Sequence, residues 1–382
     1  MTDRKLRVLE SIHDVAAEVW DACAASDGTF NPFLTHAFLA ALEDSGSATS
    51  RTGWQPFHAT MEAEGEVLGV VPMYAKSHSQ GEYVFDYSWA DAWHRAGGNY
   101  YPKLQASVPF TPATGRRVLP RHDDPELERA LLGACAQACS NFDVSSLHMT
   151  FMTEAQWHLA GELGYLRRMD QQYHWLNAGY GHFDEFLAEL SSKKRKNLRR
   201  ERRDATAAGL DIEWVTGSDL TESHWDAFYR FYTDTGSRKW GSPYLTRQFF
   251  SLIGERLAEH TLLILARREG RYVAGALNFI GSETLFGRNW GCTEYHPFLH
   301  FELCYYQAID FAIERGLARV EAGAQGQHKV ARGYLPQATY SAHYIKDAGF
   351  RDAVARFLED ERGYVQQEID YIAEHSPFKA EQ

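Results

Sequence analysis

Leu262 to Gly281 reads LLILARREGRYVAGALNFIG, two apolar runs broken at Glu269-Gly270-Arg271. Short apolar runs flanking a turn dipeptide predict two β-strands joined in a hairpin. Roughly 200 residues earlier, Pro56 to Tyr74 (PFHATMEAEGEVLGVVPMY) uses the same device, with its turn at Glu64-Gly65-Glu66. A glycine follows a few residues into each second strand, at Gly69 and Gly275. Working outward, each hairpin leads into an aromatic-rich strand and loop, YVFDYSWADAWHRAGGNYYPKL in the first half and TLFGRNWGCTEYHPFLHFELCYY in the second. A helix comes next (Glu126 to Cys139; Phe301 to Arg315), then a short strand (Leu147 to Phe151; Arg319 to Ala322). Such an internal repeat predicts two copies of one α/β unit. Strand-helix-strand order predicts two mixed sheets flanked by helices. The expected units are 1–178 and 179–382, with a basic helical segment, 182–208, at their junction. Ahead of the first hairpin, Ser11 to Ala25 has helical apolar spacing and predicts one amphipathic helix.

At 382 residues the chain exceeds the usual size of a single core, which favours two domains. A composition of 44% hydrophobic, 24% charged and 14% aromatic residues is globular, with aromatics enough to line clefts. No apolar run approaches the ~20 residues that span a bilayer, and the charged start, MTDRKLRVLE, has no apolar core behind it. The expectation is a cytoplasmic protein without a membrane span; its oligomeric state is left open. Five cysteines without a CxxC pair suit a reducing compartment. Cys135 and Cys139 share a helical face, which packing explains better than a metal. HEXXH, Walker, GxGxxG and GxSxG motifs are absent, which removes the commonest metalloprotease, NTPase, dehydrogenase and hydrolase readings.

The formal charge is −12, yet Lys193 to Arg203 gathers eight basic side chains against one acid, Glu201. Phe183 to Leu190 and Lys193 to Ala208 read as helices, with a break and cap at Ser191-Ser192. Leu198 and Ala205 are the main apolar contacts of the second. A solvated face, or a brace against an acidic body, is one reading. The other is phosphate binding by Lys193, Lys196, Arg199 and Arg200, of a nucleotide, CoA or RNA.

Candidate chemistry concentrates in RNWGCTEYHPFLH (Arg288 to His300) and EAGAQGQHKVARGY (Glu321 to Tyr334). The first gathers candidate general bases, Glu294, His296 and His300, with Glu302 just beyond. The second gathers His328, Lys329 and Arg332 as donors for an anionic group. One helix bridges the two, so both belong at one sheet edge, where α/β proteins build sites. Gly323 and Gly326 read equally well as an ordinary chain turn, His296 as a turn histidine and His300 as a helix cap. In the first half, Asp86, Trp89, His94 and Tyr101 form an aromatic and acidic cluster that fits a cleft wall or interface packing. Trp240 and Tyr244 sit in a third aromatic stretch between helices, suited to closing a substrate channel.

The string GRNWGCTEYHPFLHFELCYYQAIDFAIERGLARVEAGAQGQHKVARGYLPQATYSAHYI resembles the bacterial FemAB-like proteins of the GNAT superfamily, labelled peptidoglycan biosynthesis or recognition proteins or N-acyltransferases. SQGEYVFDYSWADAWHRAGGNYYPKL, LSSKKRKNLRRERRDA and KWGSPYLTRQFF extend the likeness over nearly the whole chain. The resemblance implies a tandem GNAT-like (acyl-CoA N-acyltransferase) fold with a cleft between or beside its units. It implies direct attack of an amine, from an amino acid, peptide or cell-wall precursor, on an activated acyl group. On that footing Glu294 or His296 accepts the amine proton, while His328, Lys329 and Arg332 hold the donor or its carbonyl. Arg288 and Trp290 join the substrate-binding set. No tightly bound cofactor is implied; the co-substrate is acyl-CoA or aminoacyl-tRNA, which makes tRNA a candidate partner. Acetyl-CoA enzymes of this superfamily carry a glycine-rich pyrophosphate loop, whereas Trp290 to Phe301 offers Gly291 and Pro297; this counts against acetyl-CoA and leaves aminoacyl-tRNA, whose phosphates the basic helix could contact, as the alternative donor. The alternative is a non-catalytic module recognising a peptidoglycan precursor or peptide.

Overall fold

Both hairpins close through the same turn. Glu64 and Gly65 take φ of 53° and 85°, Glu269 and Gly270 take 50° and 78°, the paired left-handed conformation that matches strand twist in two-residue hairpins. The computed structural model describes residues 4–207, 209–239, 243–324 and 326–379. Contacts divide the chain into two units, 1–170 with 338–367 and 171–337 with 368–382. The division falls at Asp170/Gln171, and the second unit is interrupted, because Ala342 to Ile345 hydrogen-bond along Ser146 to Met149 of the first. Sequence periodicity carries no sign of such a return.

The first unit holds two sheets. One orders Lys5–Leu9, His58–Ala63, Glu66–Val71 and Leu119–Pro120, all antiparallel. The other runs Trp54–Pro56, Met73–Lys76, Lys103–Ala106, Ser146–Met152 and then the returning strand, with Lys103–Ala106 and Ser146–Met152 parallel. Helix Pro125–Asn141 lays Leu127, Leu131, Leu132, Cys135, Ala138 and Cys139 into the core, so both cysteines are packing residues. The aromatic segment after the first hairpin is not strand and loop throughout. It forms a helix, Tyr87–Arg95, before the strand Lys103–Ala106, since Trp89 and Trp93 at i, i+4 share one helical face. Ser11 to Ala25 is likewise split, into a short turn at Ile12–Asp14, capped by Ser11, and a helix at Ala17–Ala24.

In the second unit the sheet order is Asp211–Thr216, Thr261–Arg268, Arg271–Ile280, Thr284–Cys292, Arg319–Glu321 and the end of Leu166–Leu176. Leu262 to Ala266 are fully buried, which is why that strand reads as an unbroken apolar run. Thr284–Phe286 pair in parallel with Arg319–Glu321, and a parallel pair requires a crossover. That crossover is the helical stretch from Leu299 to Glu314, interrupted by a π-turn at Glu302–Tyr306. Helix Glu222–Lys239 lies so close to the strand Thr284–Cys292 that a Cβ on Gly291 would sit 2.1 Å from the Phe231 carbonyl oxygen. Only glycine fits there.

Candidate functional site

The strand Thr284–Cys292 is where the second unit opens. It pairs with Ala274 to Ile280 from Leu285 to Cys292, but its pairing with Arg319–Glu321 stops at Phe286. One residue later, Leu277 faces Asn289 while Asn278 faces Gly287, so Arg288 is an extra residue in the ladder. A bulge of this kind bends the strand and re-aims its side chains. Beside it lies a wedge of about 100 Å³ lined by Asn278, Arg288, Asn289, Trp290, His300 and Tyr305, with Cys304 and Ala322. The π-turn supplies Cys304 and Tyr305; such turns recur at functional sites because they swing side chains out of the regular helical register.

Tyr305, buried at 4% exposure, hydrogen-bonds His328 Nε2 at 3.1 Å. Burial pushes the Tyr305 hydroxyl well above the usual tyrosine range. Burial, then the Arg332 and Lys329 cations, hold His328 below the ordinary histidine value. The tyrosine is therefore protonated and the imidazole neutral near pH 7, a donor facing an acceptor.

Other residues singled out in the sequence fall in several places. Arg288 and Trp290 line the wedge, and His300 packs 5.2 Å from Trp290. Lys329 is buried, with Nζ donating to the carbonyls of Ala322 and Gly323, the latter at 2.9 Å; burial, offset in part by Cys304, brings its pKa down to about 8. Arg332 donates to Glu201 at 2.9 Å and to the His328 carbonyl at 2.7 Å. Glu294 sits between Arg268 and His296, 3.2 Å from each, and neither Glu294 nor His296 lines the wedge. Tyr244 is 40% exposed; Trp240 lies outside the described residues. Sequence reasoning did not single out Asn278, Cys304 or Tyr305. Asn278 had a signal, being the one amide in the otherwise apolar run from Val273 to Ile280.

The basic helix is Ser192–Thr206. Leu198, Glu201, Arg202 and Ala205 face inward, with Arg202 bound to Glu302 at 2.9 Å and Asp310 at 2.6 Å. Lys193, Lys196, Arg199 and Arg200 are exposed. A hollow of about 380 Å³ opens among Arg195, Lys196, Arg199, Arg200 and Arg203. Arg199 also meets exposed Asp184 at 2.9 Å, a pair that water screens heavily.

The first-unit cluster is a buried charge network. Lys103 Nζ reaches Glu82 at 2.7 Å, Ser79 at 2.9 Å and Asp86. Asp86 also accepts from the Tyr100 hydroxyl at 2.7 Å, and His148 and His343 meet through their Nδ1 atoms at 2.7 Å. Tyr101 hydrogen-bonds Ser79 at 2.8 Å, and His94 is exposed in the last turn of its helix. Trp89 packs edge-on against His343 and lines an apolar hollow of about 530 Å³ with Trp93, Phe350 and Phe357.

Lys76 lies 3.7 Å from the Trp54 ring centre and 3.9 Å from Glu82. Burial lowers its pKa from 10.5 to about 7, against the pull of Glu82. The folded state therefore releases this proton at lower pH than the unfolded chain does. The resulting stability is present above the unfolded pKa and lost as pH falls through about 7. Wild-type stability is expected to rise from pH 7 to 9 through this group, by about 2 kcal/mol. Lys76→Met should flatten that rise, which urea midpoints at the two pH values will show.

Residues 11–380 match the FemAB-like family, described as peptidoglycan biosynthesis/recognition. No curated protein matches the sequence. Among solved structures, FemX is 12% identical, covering 89% of this chain and 98% of its own, with a TM-score of 0.56. The C-terminal domain of a putative lysylphosphatidylglycerol synthetase from Agrobacterium fabrum is 10% identical, covering 88% and 95%, with a TM-score of 0.56. L-PGS from Bacillus licheniformis is 11% identical, covering 86% and 98%, with a TM-score of 0.52. At these identities the likeness is one of fold. Among the described residues no helix is long and apolar enough to cross a membrane.

Proposed function

Because this chain belongs to the FemAB-like family and has a tandem GNAT-type fold, we propose that it is an N-acyltransferase. It moves an acyl or aminoacyl group from an activated donor to an amine of an amino acid, peptide or cell-wall precursor. The observation that carries this reading is the wedge beside the bulged strand, whose wall includes buried Tyr305, hydrogen-bonded to the exposed His328 behind it. Asn278 and Arg288 supply donors for a carbonyl oxygen as it gains charge. When the amine attacks, its nitrogen bonds to the carbonyl carbon and the donor's oxygen or sulfur leaves. The amine proton passes to Tyr305 as the tyrosine gives its own proton to the neutral His328 imidazole, and the imidazolium so formed returns a proton to the departing oxygen or sulfur, which leaves as the alcohol or thiol. Lys329 and Arg332 support the turn that carries His328. A second arrangement, with His296 as acceptor, draws on the Glu294 carboxylate that orients its ring.

The donor's phosphates fit the outer face of the basic helix, where Lys193, Lys196 and Arg200 are exposed. The segment before helix Leu299–Phe301 carries a single glycine, Gly291, together with the carboxylate of Glu294, a poor match to the glycine-rich loop that a CoA pyrophosphate takes. These features favour aminoacyl-tRNA over acyl-CoA, a choice that the family resemblance leaves open.

The test is product formation by purified protein with aminoacyl-tRNA or acyl-CoA and a panel of amines. Absence of product with every pair would sink the enzyme reading and leave the recognition module. For the donor, Lys196→Glu with Arg200→Glu should weaken tRNA binding at low salt. The slope of log K against log salt should fall by about 1 for each phosphate that the protein no longer neutralises. An unchanged slope would remove this helix from donor binding.

A further inference from the structure

Glu201 is the one acid among the basic residues from Lys193 to Arg203, and it is turned inward. Its carboxylate accepts from Arg332 Nη2 at 2.9 Å and from the Tyr306 hydroxyl. The other arm of Arg332, Nη1, donates to the backbone carbonyl of His328 at 2.7 Å. The guanidinium lies 3.5 Å from the Phe301 ring centre. Tyr306 is fully buried and directly follows Tyr305. Both partners of the Tyr305–His328 bond are therefore one link from the same carboxylate: His328 through Arg332, Tyr305 through its neighbour in the π-turn.

A brace alone does not call for a carboxylate here. Desolvating an ion pair is costly, and a well-packed apolar side chain commonly stabilises as well or better. What a charge-assisted tie that joins Arg332 and Tyr306 on one carboxylate oxygen supplies is a fixed geometry. Resting on the acyl-transfer reading above, we infer that Glu201 is a positioning residue. It sets the Gln327–Arg332 turn against the π-turn and so holds Tyr305 and His328 within hydrogen-bonding reach. The same helix presents Lys193, Lys196 and Arg200 outward, so donor phosphates held outside and the proton relay inside share one rigid element.

The experiment is Glu201→Gln in the full chain, which keeps an acceptor and removes the charge. Misplacement by about 1 Å can cost 10²-fold, so kcat should fall about 10- to 100-fold, with KM for the donor nearly unchanged. The acid limb of the kcat–pH profile should move, and the E201Q/H328Q double variant should be no slower than H328Q. A lower Tm with the kcat of the folded protein and the pH limb unchanged would overturn the inference. So would additive losses in the double variant. If E201Q does not fold, Tyr306→Phe removes one hydroxyl from the same carboxylate and should give a smaller loss of the same pattern; unchanged kcat and pH limb there would also overturn it. The His328 ring resonances give a readout independent of turnover: they should shift in the variant, and unshifted resonances count against positioning. A wild-type protein that makes no product, but whose His328 resonances move in E201Q, would defeat the enzyme reading and spare the geometric tie.

Discussion

Replacing Lys103 with methionine should cost about 3–5 kcal/mol of stability at pH 7, the usual penalty for removing one partner of a buried ion pair. Lys103 has no solvent exposure, and its ammonium is what Glu82 and Asp86 are folded around. Burial pushes both carboxyls upward. For Asp86 the nearby Lys103 charge, helped by His148, more than reverses that push and holds it below the usual carboxylate range. For Glu82 burial wins over Lys103, raising it to about 7. Without Lys103 two carboxylates share a dry site with Lys76 as their remaining close cation, and one oxygen of each already lacks a hydrogen-bond partner. Asp86, depressed when folded, contributes stability that is present above its unfolded pKa and lost as pH falls through its folded one. Methionine at 103 removes that contribution and raises both carboxyl pKa values, so the variant's deficit should shrink at pH 5, where the acids take up protons. Chemical denaturation at pH 7 and pH 5 checks this. A loss under about 1 kcal/mol, the range of exposed pairs, or one indifferent to pH, would mean the network is not held together by Lys103.

The second large effect is expected at His328. His328→Gln keeps a polar side chain but cannot take up the proton, and loss of a general base costs about 10²- to 10⁴-fold in kcat. Because His328 titrates below the ordinary histidine range, wild-type activity should fall away only at mildly acidic pH, as the imidazole becomes protonated. That limb should vanish in the variant. Tyr305→Phe should lose a comparable factor, since the relay runs through its hydroxyl. If H328Q retains wild-type turnover while His296→Gln abolishes it, the proton goes to the Glu294–His296 pair.

The parts of the fold that could be read from sequence are those set by neighbours in the chain. Glu64-Gly65 and Glu269-Gly270 announce their hairpins because the turn needs two left-handed residues and the flanking strands are apolar. The helix Pro125–Asn141 follows from local periodicity and its Asp124 cap, and the basic helix starts beside the expected serine pair although Ser191 makes no side-chain cap bond. The helix Tyr87–Arg95 does not, because its aromatics suit strands as well. Residues brought together over long separations were out of reach: His148 and His343 are 195 positions apart, and Glu201 and Arg332 are 131. Arg288 was visible as a residue type, but the register slip that makes it a bulge depends on the partner strand. Eight cations around one helix concealed an inner face whose polar members, Glu201 and Arg202, are matched to charges from elsewhere in the chain.

The return of 338–367 to the first unit has a consequence for how the protein comes off the ribosome. The strand bearing His343 and the helix segment bearing Val354 and Leu358 are made after most of the second unit. Until then Ser146–Met152 has an open edge and Trp89 lacks part of its cover. The amino-terminal part therefore waits, with apolar surface and unpaired backbone exposed, through the synthesis of the segment between. Such intermediates depend on chaperones and are prone to aggregate. A gene cut between the two repeats would strand each half without a strand it needs.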